Sequence, residues 1–166
     1  MLMEVVAQHL RHEAVVRSVD PARDTFGRSS FNRFYYAAFL RVRTLLAALN
    51  SVDWVELPHA DMPALLRGQV RDRLAKGRRA AQRADDAPLV QACNIAIAAV
   101  AELSSVLDKG RMTRVTADYQ PEVAVDFSVG SNFTLNTVSV QLASEWPTRT
   151  EQLCRVVEAA WRQVDD

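Results

Sequence analysis

Between Phe31 and Leu49 apolar side chains recur at spacings of three and four: Phe31, Phe34, Tyr35, Ala38, Phe39, Val42, Leu45, Leu46 and Leu49. That is one face of a helix about six turns long, and a face of that length has to be buried against other helices. A second segment narrows the choice further. Ala87 to Leu107 places Leu89, Val90, Cys93, Ile95, Ile97, Val100, Leu103, Val106 and Leu107 so densely that only a thin polar strip remains. Such a helix lies at the centre of a bundle or is shared with a second chain.

Around these two, weaker periods complete the pattern. Leu2, Val5, Val6, Leu10 and Val16 mark a first helix, which Asp20-Pro21 should close because proline disfavours helix in the residue before it. After a loop to Arg28, Ser29 or Ser30 supplies a cap for the long helix. Asp61 serves as a cap and Pro63 as a first-turn residue for a stripe of Met62, Leu65, Leu66, Val70 and Leu74. Asp108 to Asp118 leads out of the central helix. From Glu122 to Gln141 the period falls to two, around Gly130-Ser131-Asn132, the mark of a β-hairpin. Thr148 and Glu151 have the spacing of a capping box for a last helix whose stripe is Trp146, Leu153, Val156, Val157, Ala160, Trp161 and Val164. The expected architecture is all-α: an antiparallel bundle of about five helices in a single domain over 1–166, with a short hairpin inserted at about 122–141.

Charge excludes several functions. Lys+Arg and Asp+Glu are 20 each, so no bulk field draws the chain to nucleic acid or membrane. The first twenty residues lack a basic stretch followed by an apolar one, and uninterrupted apolar runs such as Ile95 to Ala101 are too short to span a bilayer. The expected location is cytoplasmic, with Cys93 and Cys154 as small hydrophobes in helical series. No Gly-rich phosphate loop, nucleophile elbow or paired-cysteine motif occurs. His9 and His12 stand three apart but have no carboxylate or thiolate at matching spacing, so neither a metal nor a cofactor is expected. One local excess stands out. Arg67, Arg71, Arg73, Lys76, Arg78, Arg79 and Arg83 face one acid, Asp72, within 67–83. Such a run either contacts phosphates or is a solvated helix face.

Two further stretches carry a resemblance. "GRSSFNRFYYAAFLRVRTLL", with Arg33, Tyr35 and Tyr36, is similar to the arginine-x-tyrosine-tyrosine helix of HEPN domains, and "RVTADYQPEV", with Arg114, Asp118 and Tyr119, resembles the stretch that closes their penultimate helix. "PHADMPALL", with His59, sits where such proteins carry a histidine-containing loop. The resemblance implies a helical bundle that pairs as a homodimer, often beside a nucleotidyltransferase-type protein, in a bacterial toxin-antitoxin or defence system, with RNA or a nucleotide as ligand. It also implies a test for catalysis. Nuclease members place a histidine four to six residues after an arginine, the two acting on the 2′-hydroxyl and the phosphate. Counting on from Arg111 or Arg114 reaches no histidine here, and an aspartate paired with an arginine is a poor proton acceptor. The expected role is therefore non-catalytic binding through Arg33, Arg71, Arg73, Arg78, Arg79 and Arg114. The alternatives are a ribonuclease with a non-standard set, Arg111, Arg114, Asp118 and Tyr119, and an architectural dimer without ligand. In the structural reading of that set, Arg114 and Asp118 pair across a helix end while Tyr119 packs inward.

Overall fold

The computed structural model describes residues 2–17 and 21–165. Among the described residues six α-helices are seen: α1 (Leu2–Val16), α2 (Ala22–Leu49), α3 (Met62–Leu65), α4 (Arg71–Arg83), α5 (Ala87–Tyr119) and α6 (Val140–Asp165). A π-helical turn, Leu66–Val70, joins α3 to α4, so these form one continuous rod and the helical rods number five, as expected. A three-stranded antiparallel sheet, β1 (Val125–Asp126), β2 (Thr134–Leu135) and β3 (Val138–Ser139), precedes α6. The protein is an all-α helical bundle with this small sheet inserted before the last helix.

The chain divides into two compact units. One comprises 1–39 and 108–148, the other 40–107 and 149–166.

In the first unit the buried face of α2 supplies Phe31, Phe34, Tyr35 and Phe39, the sheet supplies Leu135 and Val138, and Phe133 lies just before β2. Phe133 meets Phe31 edge-on at 5.8 Å between ring centroids and Phe127 at 4.9 Å. Gly110 of α5 lies so close to Tyr35 that an added Cβ would stand 2.7 Å from the ring. The sheet differs in detail from one hairpin. The register Leu135↔Val138 closes a second, two-residue turn at Asn136-Thr137, with Asn136 in the left-handed region at φ 55°. Asparagine tolerates that conformation better than most side chains, which is why an apparently continuous alternating stretch breaks there.

Helix ends account for the other departures. Helix α2 begins at Ala22, so the expected loop to Arg28 is helical, and Ser30 donates its hydroxyl to Gly27 O at 2.7 Å inside the helix instead of capping it. The expected stop at Asp20-Pro21 includes Asp20, which lies outside the described residues. Thr148 and Glu151 form no capping box, because α6 already starts at Val140 and runs through Pro147. Its true start is held by Ser139, whose Oγ accepts from Leu142 N at 3.2 Å, and by Asn132, whose Oδ1 accepts from Gln141 N at 3.1 Å. Asp61 precedes α3 but makes no side-chain cap, since its backbone is already helical at φ −90°, ψ −21°.

In the second unit Met62, Leu65, Leu66, Val70 and Leu74 are all buried, as their stripe demanded, together with Cys93, Val100, Leu103 and Leu107 of α5 and Leu153, Val157 and Ala160 of α6. Trp54 and Trp161 pack edge-on at 5.8 Å. Between α4 and α5 two acids do separate jobs: Asp85 takes the left-handed position (φ 56°) after α4, and Asp86 Oδ1 caps α5 by accepting from Leu89 N at 3.1 Å. Asp108 to Asp118 does not lead out of α5 but belongs to it. By length and composition alone α5 is long and apolar enough to cross a membrane, with 33% of its most apolar stretch buried, which differs from the reading of uninterrupted runs. Core helices of soluble proteins pass the same test.

Candidate functional site

Two residues of α2 and three of α5 converge in the first unit. Asn32 and Tyr36 are one helical turn apart on α2, and Arg114 and Asp118 one turn apart on α5, so each pair lies on one helix face. Arg114 Nε stands 2.8 Å from Asp118 Oδ2, with each side chain 26% exposed. The Nε–H is not aimed along that line, so the contact is a charge pair and not an aligned hydrogen bond. The second oxygen, Asp118 Oδ1, accepts from Asn32 Nδ2 at 2.7 Å. The guanidinium lies 5.9 Å from the Tyr36 ring centroid and 5.5 Å from that of Tyr119, and Nη2 reaches the Tyr119 hydroxyl at 3.5 Å.

Electrostatics follow from that enclosure. Partial burial works against the charged guanidinium, but Tyr36, Asp118 and Tyr119 outweigh it and hold Arg114 above its ordinary pKa. Burial, with Tyr36 beside it, raises Tyr35, against the opposing pull of Arg114 and Arg111. The expected Arg114–Asp118 pair is therefore present. The expected inward packing of Tyr119 is not: its side chain is 67% exposed at the last position of α5. A helix ending there leaves the ring beyond the packed face, with the Arg114 guanidinium against it.

The other named residues do not join this cluster. Arg33 is exposed on α2 and makes none of these contacts, and Arg111 bears on the cluster's neighbour Tyr35 through its charge. Arg71, Arg73, Arg78 and Arg79 belong to the second unit. Leu74 and Ala81 mark the buried line of α4, and at 100° per residue the cations spread over the rest of its circumference instead of converging. Arg71 stands 3.6 Å from Asp72, and Arg78 Nη1 donates to Asn94 Oδ1 at 3.0 Å. His9 and His12 are both exposed on α1, and no group of three or more metal-binding side chains occurs among the described residues.

What positions the cluster is Arg28, which the sequence reading passed over. Its Nη1 donates to the carbonyls of Thr116 (3.3 Å), Ala117 (3.2 Å) and Gln120 (3.2 Å), and its Nη2 to those of Pro121 (3.2 Å) and Val123. Asp24 fixes the guanidinium through Nε and accepts from Val125 N at 2.7 Å through its other oxygen. The first turns of α2 thus hold the last turn of α5 and the start of β1. The one signal in the sequence is the Asp24–Arg28 spacing of four, which any surface ion pair would share.

Neither the protein-family models, nor the curated proteins, nor the solved structures compared with this chain give a match.

Proposed function

We propose that this protein is a HEPN-like binding protein that does not cleave RNA, a homodimeric partner of a nucleotidyltransferase-type or RNA-processing component in a cytoplasmic toxin-antitoxin or defence system. The observation that supports the non-catalytic part is the state of Asp118. Both its oxygens are engaged, one by Asn32 and one by Arg114. These contacts hold the carboxylate toward an amide and a cation, whereas the nuclease chemistry needs a histidine beside the arginine. The groups that meet this carboxylate and its arginine are Asn32, Tyr36 and Tyr119, none of them a histidine. Arg114 and the exposed Tyr119 still offer a cation and a ring face, a combination suited to a phosphate-bearing or aromatic partner. In the same reading, the cations of α4 give a salt-sensitive contribution to RNA affinity.

The test is RNA cleavage without added metal, for wild type and Asp118→Asn. Wild type should release no fragments above a heat-inactivated control, and the variant should differ only in stability, by no more than about 1 kcal/mol for a partly exposed pair. Wild-type cleavage that disappears in Asp118→Asn overturns the binding reading in favour of the ribonuclease.

A further inference from the structure

Helix α1 has two unlike faces. Ala7 and Ala14 are fully buried, Arg11 donates from Nη1 to Ser144 Oγ at 3.4 Å and from Nη2 to Gln141 Oε1 at 3.3 Å, and the Ala14 carbonyl accepts from Arg23 Nε at 3.1 Å. That face holds the helix on the protein. At 100° per residue the opposite face carries Val5, His9, His12 and Val16, all exposed, the two valines at 67% and 56%. Among the described residues no hydrogen bond or ion pair engages either imidazole. The spacings of four, three and four are those of a coiled-coil seam, a stripe that stays in line with a second helix packed along it.

The order of residues says which helix fits. From Glu4 to Arg17 the sequence reads nearly the same in both directions: Val5 mirrors Val16, Val6 mirrors Val15, Ala7 mirrors Ala14 and His9 mirrors His12, while Gln8 answers Glu13 and the end residues, Glu4 and Arg17, are of opposite charge. Leu10 and Arg11 break the mirror but lie off the stripe. A second copy of α1 laid antiparallel across a two-fold axis between positions 10 and 11 therefore sets valine on valine at both ends and histidine beside histidine in the middle. Such self-complementarity is what an isologous two-fold interface requires. The fit rests on these valines and histidines, since Arg17 Nε already stands 3.4 Å from Glu13 Oε2 in its own chain.

The centre of that seam has a chemistry of its own. Side chains three apart on a helix are neighbours on one face, so each chain presents two imidazoles side by side. Closing the seam takes four imidazoles out of water, where polar groups need partners. Four ring nitrogens are the tetrahedral set that zinc takes. One chain supplies only half of it: no group of three or more metal-binding side chains occurs among the described residues.

We propose that α1 pairs antiparallel with α1 of a second copy, and that His9 and His12 of both chains together bind zinc at the two-fold axis. The pairing does not rest on the HEPN-like reading. A dimer through any other face persists when metal is removed, whereas this one does not.

The whole protein is examined by sedimentation velocity in EDTA and after transfer to micromolar zinc, with a chromophoric chelator competing for the metal. Zinc should at least about double the mass seen in EDTA and saturate at one ion for every two chains, the ratio set by two imidazoles per chain and a four-coordinate ion. His9→Ala combined with His12→Ala should abolish both responses. Val16→Lys touches no ligand, but it places an ammonium in the seam and should weaken zinc binding at least about tenfold. Circular dichroism of the variants should match wild type, because the replaced side chains are exposed. Saturation at one zinc per chain without a change in mass overturns the proposal, as does a mass change that survives loss of both histidines, or an affinity unaltered in Val16→Lys. A mass already doubled in EDTA and insensitive to zinc also overturns it, while leaving the homodimer of the HEPN-like reading in place.

Discussion

Arg28 is the residue whose loss should be felt most widely. Five backbone carbonyls from Thr116 to Val123 converge on its guanidinium, and its side chain is only 12% exposed. Carbonyls at a helix C-terminus have no partner within the helix, so Arg28 does the work of a cap and at the same time places a cation against the negative end of the α5 dipole. Arg28→Met keeps the aliphatic stem but removes every donor. Removing one partner from a buried charged contact costs about 3–5 kcal/mol. The outer carbonyls near Pro121 are open to water, and Asp24 is 40% exposed, so the lower part of that range, about 3–4 kcal/mol, is expected. For a chain of this size each kcal/mol lowers Tm by about 2–4 °C, giving a drop of roughly 6–16 °C by circular dichroism. Arg28→Lys, a point charge without the planar fork, should recover less than half of it. Hydrogen exchange supplies the local readout: the amides of Gln120, Val123 and Val125 should lose protection first, since Arg28 and Asp24 hold that segment. A Tm within about 2 °C of wild type, or unchanged exchange in 120–125, would refute the capping argument.

Thr150 is fully buried, and its hydroxyl has no hydrogen-bond partner. Thr150→Val keeps the shape and should stabilise the protein by about 1 kcal/mol in a urea titration, whereas a clear loss would mean that the hydroxyl is paired. An added Cβ at Gly77 would stand 2.3 Å from Val164 Cγ1, so Gly77→Ala should cost about 1–3 kcal/mol despite the better helix propensity of alanine. Val164→Ala in the same chain should remove most of that cost, and strict additivity of the two changes would rule out the clash. Burial pushes the Cys154 thiol from 9.0 up to about 12, and burial raises Cys93 as well. A raised thiol pKa means less thiolate at a given pH, so at pH 8 the Cys154 thiolate fraction falls by roughly a thousandfold and both cysteines should react with a disulfide reagent far more slowly in the native than in the urea-unfolded protein.

The sequence was most legible where burial is one-sided and continuous. Phe31, Phe34, Tyr35, Ala38, Phe39, Val42, Leu45 and Leu46 are all buried, and so is the stripe from Met62 to Leu74. Period alone found them, because each side chain faces the core whatever its neighbours do. Ends were harder. Ala22 to Arg28 contains Asp24, Arg23 and Gly27, with little apolar period of its own. It is helical because Asp24 and Arg28 are held by a segment about ninety residues away. Thr148 and Glu151 read as a helix start, yet Val140, Ala143 and Trp146 are buried before them and hold the helix on its N-terminal side. In the candidate site the spacing of four made Arg114–Asp118 legible, whereas Asn32, which completes it, lies on another helix and has no signal in the chain.

The alternation of the two units along the chain has a consequence for synthesis. Each unit is assembled from two stretches, 1–39 with 108–148 and 40–107 with 149–166, so neither is complete when its first stretch has been translated. At about 5–20 residues per second the ribosome spends several seconds on the interval between Phe39 and Asp108. During that time the apolar face of Phe31, Phe34 and Tyr35 exists without the sheet residues that cover it. Folding of the first unit therefore waits for Arg28 to find carbonyls that emerge long after it, and a nascent chain stalled before Thr116 should present that aromatic face to whatever chaperone or aggregate is nearest.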